Sequence, residues 1–277
     1  MNLVRSEFLK IRTTNMWWLF ALGAFLLWAL TFFINAVTAY VTLAESTTPE
    51  GMSAEDAATF EATQDVVYQA ANLYTSGQFF GLMFVLLLGI VLVTSEFHHQ
   101  TITTTFLTTP HRTAVITAKL VAAALTGAAF WLVTTLINIP ATMIFLATQD
   151  LPNEFGDPAV FRAIGLNLVA YLLWGILGVG FGVLIRSQIG ATVTAVVLYV
   201  IGTLAVGIIF QLLAVWLEAR WIINLQYGLP SSASTLMVSG RNLPDQPEYW
   251  VGAVVLVVWA LVTGTIGTLI TRTRDVS

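Results

Sequence analysis

Residues 79–119 read FFGLMFVLLLGIVLVTSEFHHQTITTTFLTTPHRTAVITAK, and this stretch decides what kind of protein the chain is. From Phe79 to Thr94 it is uncharged and almost wholly apolar. From Glu96 to Lys119 it turns polar and weakly basic, and it holds all three histidines, His98, His99 and His111. At Leu120 a second apolar run begins. An apolar wall that stops at an acid and resumes after a polar island is the pattern of one helix leaving a bilayer and another entering it. The whole chain agrees: 57% of its 277 residues are hydrophobic and 9% charged, where a soluble domain carries about 25%. Such a chain cannot cover a core with charged surface, so its solvent is mostly lipid. It has no cysteine, hence no disulfide framework, thiolate metal site or cysteine nucleophile.

Working outward, a spanning helix needs about 20 apolar residues, and six stretches qualify: 17–43, 77–95, 120–147, 164–185, 189–217 and 250–270. The expected fold is an all-α membrane protein, one transmembrane domain over 1–277. Residues 1–16 are too charged to cross. Val4, Phe8 and Ile11, with Leu3 beside them, share a face, while Arg5 and Arg12 share another, which predicts an amphipathic helix lying in the membrane interface. The first apolar run is far longer than the 7–15 residues of a signal peptide, so it reads as an uncleaved anchor, with Trp17 and Trp18 at the interface.

Residues 44–76 form an external acidic segment without Lys or Arg. There Ser53 and Asp56 resemble a capping box, and Phe60, Gln64, Val67, Ala71 and Tyr74 line one helical face. The third span carries Asn138 and Pro140, and the proline predicts a kink. In the fourth, Gly178 and Gly182 stand at the spacing that lets helices approach closely, here within the chain. Residues 218–248 hold two apolar patches too short to cross, broken by Gly228 and Pro230. They read as a re-entrant or interfacial helical pair, or as an external cap.

Orientation follows from the basic residues. Arg5, Lys10, Arg12, Arg112, Lys119, Arg186, Arg272 and Arg274 fall on one side; Arg162, Arg220 and Arg241 fall on the other. The richer side is cytoplasmic, which puts both termini and the 96–119 island inside. No span has an ionisable residue in its middle, which argues against a proton-driven antiporter. No phosphate-binding loop, HExxH or GxSxG motif is present. His98 and His99 are adjacent, about 100° apart on a helix, and poorly placed to share a metal. No catalytic residue, metal or nucleic-acid partner is expected. In the island, Phe97, Ile102, Phe106 and Leu107 give an apolar stripe that Pro110 ends, so a short helix is expected across the inner face.

These residues resemble a known family. SEFHHQTITTTFLTTPHRTAVITAK is similar to the segment after the second span of type-2 ATP-binding-cassette (ABC) exporter permeases. Ser95, Glu96 and Phe97 match its start, Thr101, Leu107 and Pro110 its middle, and Arg112 and Lys119 its end; Gln100 stands where the family has glycine. Ser6 to Trp18 also looks like the start of such permeases. The resemblance implies that 1–16 is a connecting helix and that 96–119 is a coupling helix docking into a separate ATPase subunit through Glu96, Phe97, His98, His99, Gln100, Thr101, Thr104 and Phe106. It implies re-entrant helices in 218–248, a second permease subunit, identical or homologous, and ATP and magnesium bound on the partner ATPase with no cofactor on this chain. Phe79, Phe80, Met83 and Phe84 of the second span and Thr192, Val196, Tyr199 and Thr203 of the fifth would line a pathway for a hydrophobic or amphipathic cargo (drug, lipid or peptide) leaving through the plasma membrane. The alternative is a self-contained secondary transporter or channel.

Overall fold

The computed structural model describes residues 2–13, 16–44, 51–101, 112–185 and 187–273. Ile102, Thr104, Phe106, Leu107, Pro110, His111, Arg186 and Arg274 lie outside the described residues. Within them all regular structure is helical, and six helical stretches are long and apolar enough to cross a membrane: Trp17–Ala44, Val66–His98, Thr113–Thr148, Pro158–Leu184, Gln188–Trp216 and Tyr249–Ile270.

In chain order the helices are α1 (Asn2–Thr13), α2 (Met16–Ala44), α3 (Ala54–Thr63), α4 (Val66–Tyr74), α5 (Gln78–His98), α6 (Arg112–Thr148), α7 (Pro158–Leu184), α8 (Gln188–Val196), α9 (Thr203–Trp216), α10 (Pro230–Met237) and α11 (Tyr249–Thr273). A π-helical stretch, Val197–Gly202, joins α8 to α9, and a 3-10 helix, Arg220–Gly228, precedes α10. The starts follow local capping chemistry. Ser53, Asp65, Asp157 and Ser187 each accept a hydrogen bond from a first-turn amide with a side-chain oxygen.

α5 is the axis of the fold. Its residues from Leu82 to Thr94 are buried, and α7 lies against it with almost no side chain between. A Cβ on Gly89 would stand 2.8 Å from the Gly175 carbonyl, one on Gly178 would stand 3.0 Å from the Gly89 Cα, and one on Gly182 would meet the Ile90 carbonyl at 2.9 Å. The glycine spacing in the fourth span therefore serves packing inside the chain.

The second membrane stretch is two helices, not one. α4 stops at Tyr74 and α5 starts at Gln78, with Gly77 at φ 80°, the left-handed region that glycine enters freely. Backbone released at a break within a membrane must find partners. The Ser76 carbonyl accepts from Asn138 Nδ2 at 2.9 Å, and Asn138 Oδ1 accepts from Trp28 Nε1 at 2.7 Å. Asn138 is thus the polar residue of the third span that satisfies the break in the second.

α6 runs unbroken from Arg112 through Pro140 to Thr148. Its 37 residues extend about 55 Å, well beyond a hydrocarbon core of about 30 Å. Lys119, expected in the polar island, therefore sits inside a long helix. The chain between α9 and α11 folds inward: Ser231, Ala233, Ser234, Leu236 and Met237 of α10 are buried. The Ser234 hydroxyl accepts from Trp174 Nε1 at 2.7 Å, and the Ser234 carbonyl accepts from Gln78 Nε2 at 3.2 Å. That places α10 on both α5 and α7.

Candidate functional site

α1 carries the apolar face that its sequence predicts, but that face covers protein. Val4, Phe8 and Ile11 pack against the cluster formed by Leu92, Val93, Ala122, Ala123, Val179 and Val183. Glu7 lies on the same side of α1 and is carried under it. There it meets Glu96, near the end of α5, and Lys119, two turns into α6.

The three form a buried ion cluster with Lys10 at its edge. Lys119 Nζ lies 2.8 Å from Glu7 Oε2 and 2.8 Å from Glu96 Oε1, and it donates to the Leu92 carbonyl at 3.2 Å. Lys10 Nζ lies 2.7 Å from Glu7 Oε1 and 2.5 Å from Glu96 Oε1. The side chains of Glu7, Glu96 and Lys119 are 3–4% exposed and that of Lys10 is 41% exposed. Two acids and two bases leave the site neutral, and each carboxylate has two cationic partners. A buried ion is tolerated only when paired and hydrogen-bonded in this way. Burial alone would push the Lys10 ammonium down, but the carboxylates of Glu7 and Glu96 outweigh it and hold its pKa above 10.5. Lys10 stays charged at neutral pH.

Mechanically, this cluster ties together three pieces of chain. Glu96 and Lys119 stand at the two edges of the polar island, one at its entry and one at its exit, and they are bonded to each other and to α1.

Glu96 points into the protein. Phe97 packs on the cluster of Leu92 and Val93, while His98, His99, Gln100 and Thr101 are exposed. The His98 and His99 rings meet edge to face, 5.0 Å apart at 76°. Among the described residues no three of His, Asp and Glu come together as a metal site would need. Gln100 takes φ 55°. Its amide donates to the Phe97 carbonyl at 3.3 Å, and that of Thr101 to the Glu96 carbonyl at 3.0 Å. This is the paired closure of a helix end in which glycine is the usual residue. Gln100 therefore makes the glycine turn without being glycine.

Of the residues assigned to a pathway, Phe79, Tyr199 and Thr203 come together. The Phe79 and Tyr199 rings are 4.8 Å apart, and Tyr199 OH donates to the Phe79 carbonyl at 2.6 Å. Thr203 bonds the Tyr199 carbonyl at 2.5 Å and the Ser231 hydroxyl at 2.7 Å. Phe80 meets Phe79 edge to face. Met83 is buried in the core, and Phe84 lies beneath α2 against Phe20. Val196 packs on the core cluster, and the Thr192 hydroxyl donates to Gln188 of its own helix. Sequence reasoning missed Glu7; it took Lys10 only as a marker of orientation, and Lys119 as such a marker and as the end of the resembled motif, not as a buried ion. The available signal was a carboxylate between Val4 and Phe8 on an apolar face, three residues before a lysine.

The family model described as "ABC-2 family transporter protein" matches residues 1–276. The chain belongs to the ABC-2 transporter family. No curated protein matches it. ABC-2 permeases are membrane transport components that are not themselves catalytic and normally work with an ATPase subunit. With its six apolar helices the chain is a multi-pass membrane protein.

Proposed function

We propose that this ABC-2 chain is the membrane-spanning subunit of an ATP-driven exporter, acting with a separate ATPase that binds ATP and magnesium and with a second permease subunit, identical or homologous. In this reading both termini and the α1 end face the cytoplasm of a cell whose plasma membrane holds the protein. The segment from Glu96 to Lys119 receives the ATPase through the exposed residues His98 to Thr101 and through Thr104 and Phe106, while Glu96 and Phe97, expected to dock it as well, are turned into the bundle and anchor the segment. The cargo is hydrophobic or amphipathic, a drug, lipid or peptide, and passes by Phe79, Phe80, Met83 and Phe84 and by Thr192, Val196, Tyr199 and Thr203.

The observation that carries the reading is the ion cluster. A motor pushing on a short segment moves a bundle only if the segment's ends are fixed to it; Glu96 and Lys119 are bonded to each other at 2.8 Å, and each is bonded to α1, Lys119 to Glu7 at 2.8 Å and Glu96 to Lys10 at 2.5 Å. The described buried acids and bases, Glu7, Glu96 and Lys119, all sit at this one end. This favours an external motor over ion coupling along the spans.

The absence of cysteine makes the first test clean. A His98→Cys variant should react with a membrane-impermeant maleimide in inside-out vesicles and not in intact cells; the reverse overturns the orientation. The second test reconstitutes the chain with its ATPase. Cargo should move only when both are present with ATP, and Glu96→Gln should leave ATP hydrolysis running while transport falls by tenfold or more. Transport by the chain alone would establish a self-contained carrier instead.

A further inference from the structure

We propose that the hollow between α2 and α4 is a binding site for an uncharged, hydroxyl-bearing group such as a polyol or a sugar ring. The hollow measures about 200 Å³. Asn35, Thr38 and Thr42 of α2 line one side, and Tyr68, Gln69 and Asn72 of α4, with Thr63 before them, line the other. On α2 the three polar residues recur at i, i+3 and i+7 and so share a face, while Ile34, Val37 and Val41 stand on other faces and are exposed. A polar seam on a spanning helix needs partners for its polar atoms.

The walls have bonds to spare. The Thr31 hydroxyl, also on α2, donates to the Leu27 carbonyl of its own helix at 2.8 Å, and Thr94 on α5 treats Ile90 likewise at 2.9 Å. Thr38 and Thr42 make no such return. Among the described residues their hydroxyls, the Tyr68 hydroxyl and the Asn72 carboxamide bond nothing. Gln69 is 5% exposed. Its Nε2 donates to the Thr63 carbonyl at 2.7 Å, but its Oε1 accepts from no described residue. Hydroxyls and carboxamides both donate and accept, so the group that satisfies this wall must do both. Among the described residues no Asp, Glu, His, Lys or Arg lines the hollow, so an ion entering it would lose hydration and gain no counter-charge. A hydrocarbon tail would leave the wall's hydrogen bonds unmade. Water fits, at about seven molecules of roughly 30 Å³ each, and a hydroxylated ring displaces it while reproducing its bonds. The site does not rest on the transport reading: none of its residues belongs to the proposed pathway, and its test needs no ATPase.

That test uses the full-length chain in phosphatidylcholine nanodiscs, with single cysteines placed in a sequence that has none. The thiolate is the reacting form, and apolar surroundings hold a thiol protonated. Thr38→Cys and Thr42→Cys should therefore react with the neutral reagent hydroxyethyl methanethiosulfonate at least tenfold faster than Val37→Cys and Val41→Cys, their neighbours on α2. With rates taken relative to the exposed Met52→Cys, the trimethylammonium and sulfonate analogues should label Thr38→Cys and Thr42→Cys at least threefold more slowly than the neutral reagent. A dissolved mixture of glucose, galactose and mannose should slow neutral labelling of Thr42→Cys at least threefold if the group comes from solution. Lipid glycosides of the same sugars in the nanodisc should do so if it is a headgroup. Protection by neither overturns the proposal. So do equal rates on the two faces of α2, or charged reagents that match the neutral one. An unlabelled hollow with efficient chain-to-chain disulfide formation through Thr42→Cys overturns it too, and would assign the space to a second copy.

Discussion

Replacing Lys119 by methionine removes the cation at the centre of the ion cluster and leaves Glu7 and Glu96 with Lys10 alone. Breaking a buried pair by deleting one partner costs about 3–5 kcal/mol, and thermal unfolding in nanodiscs should report a loss of that size. Glu96→Gln combined with Lys119→Met should cost less than the two separate losses added, because the second change discards a charge the first had already stranded. Strict additivity would mean that the two residues act independently. Lys10 contributes on a different pH axis. Its folded pKa lies above 10.5, so its contribution is whole below that value and is lost as the pH rises through the higher folded value. The stability gap between the native chain and Lys10→Met should thus be constant at neutral pH and close only in strong base.

At the scale of elements, the α5–α7 contact sets the packing, and one helix supplies both the test and its control. In Gly178→Ala the new methyl would press on the Leu86 carbonyl and the Gly89 Cα. Both are backbone, so neither can turn aside, and overpacking of this kind costs about 1–3 kcal/mol. Gly165→Ala in the same α7 meets nothing within 4 Å and should gain about 0.5–1 kcal/mol from helix propensity. Equal effects at the two sites, read as unfolding midpoints, would refute the close-contact account.

Much of this level is legible in the sequence. The six apolar runs, the Ser53 cap, the glycine spacing and the apolar face of α1 all follow from local periodicity, and periodicity is a local property. The boundary at residues 76–77 was legible, but the bonds from Asn138 and Trp28 that satisfy the break there were not, because those residues come from other spans. Nor was the ion cluster. Its members are separated by up to 112 positions, and charge at the edge of a span reads equally well as a marker of orientation. Gln100 hid the helix closure because a residue type was expected where only a backbone angle was required.

Over the whole molecule, the end opposite α1 is held by weaker ties. Arg220 of the 3-10 helix reaches Asp56 of α3 at 3.2 Å, and Arg241 reaches Asp65 at 3.0 Å. These pairs lie at the surface and add little to global stability; the first ties α3 to the 3-10 helix before α10, and the second ties the start of α4 to the segment after α10. The Ser53 hydroxyl and the Arg220 guanidinium hold the Asp56 carboxyl below its ordinary 3.8. The tie is therefore intact above that value and is lost as the pH falls through the lower folded one. Hydrogen exchange of α3 amides should be slower in the native chain than in Arg220→Gln at neutral pH, and the two should converge in acid. A difference that persisted in acid would rule the pair out.

The ion cluster also dictates a chronology. Glu7 leaves the ribosome 112 positions before its buried partner Lys119. At roughly 5–20 residues per second, that delay is on the order of ten seconds. Throughout it, α1 has no finished seat, and the Glu7 carboxylate is matched by Lys10 of its own helix alone. α1 is consequently made well before it can settle, and insertion machinery that hurried or stalled the third membrane passage would strand it.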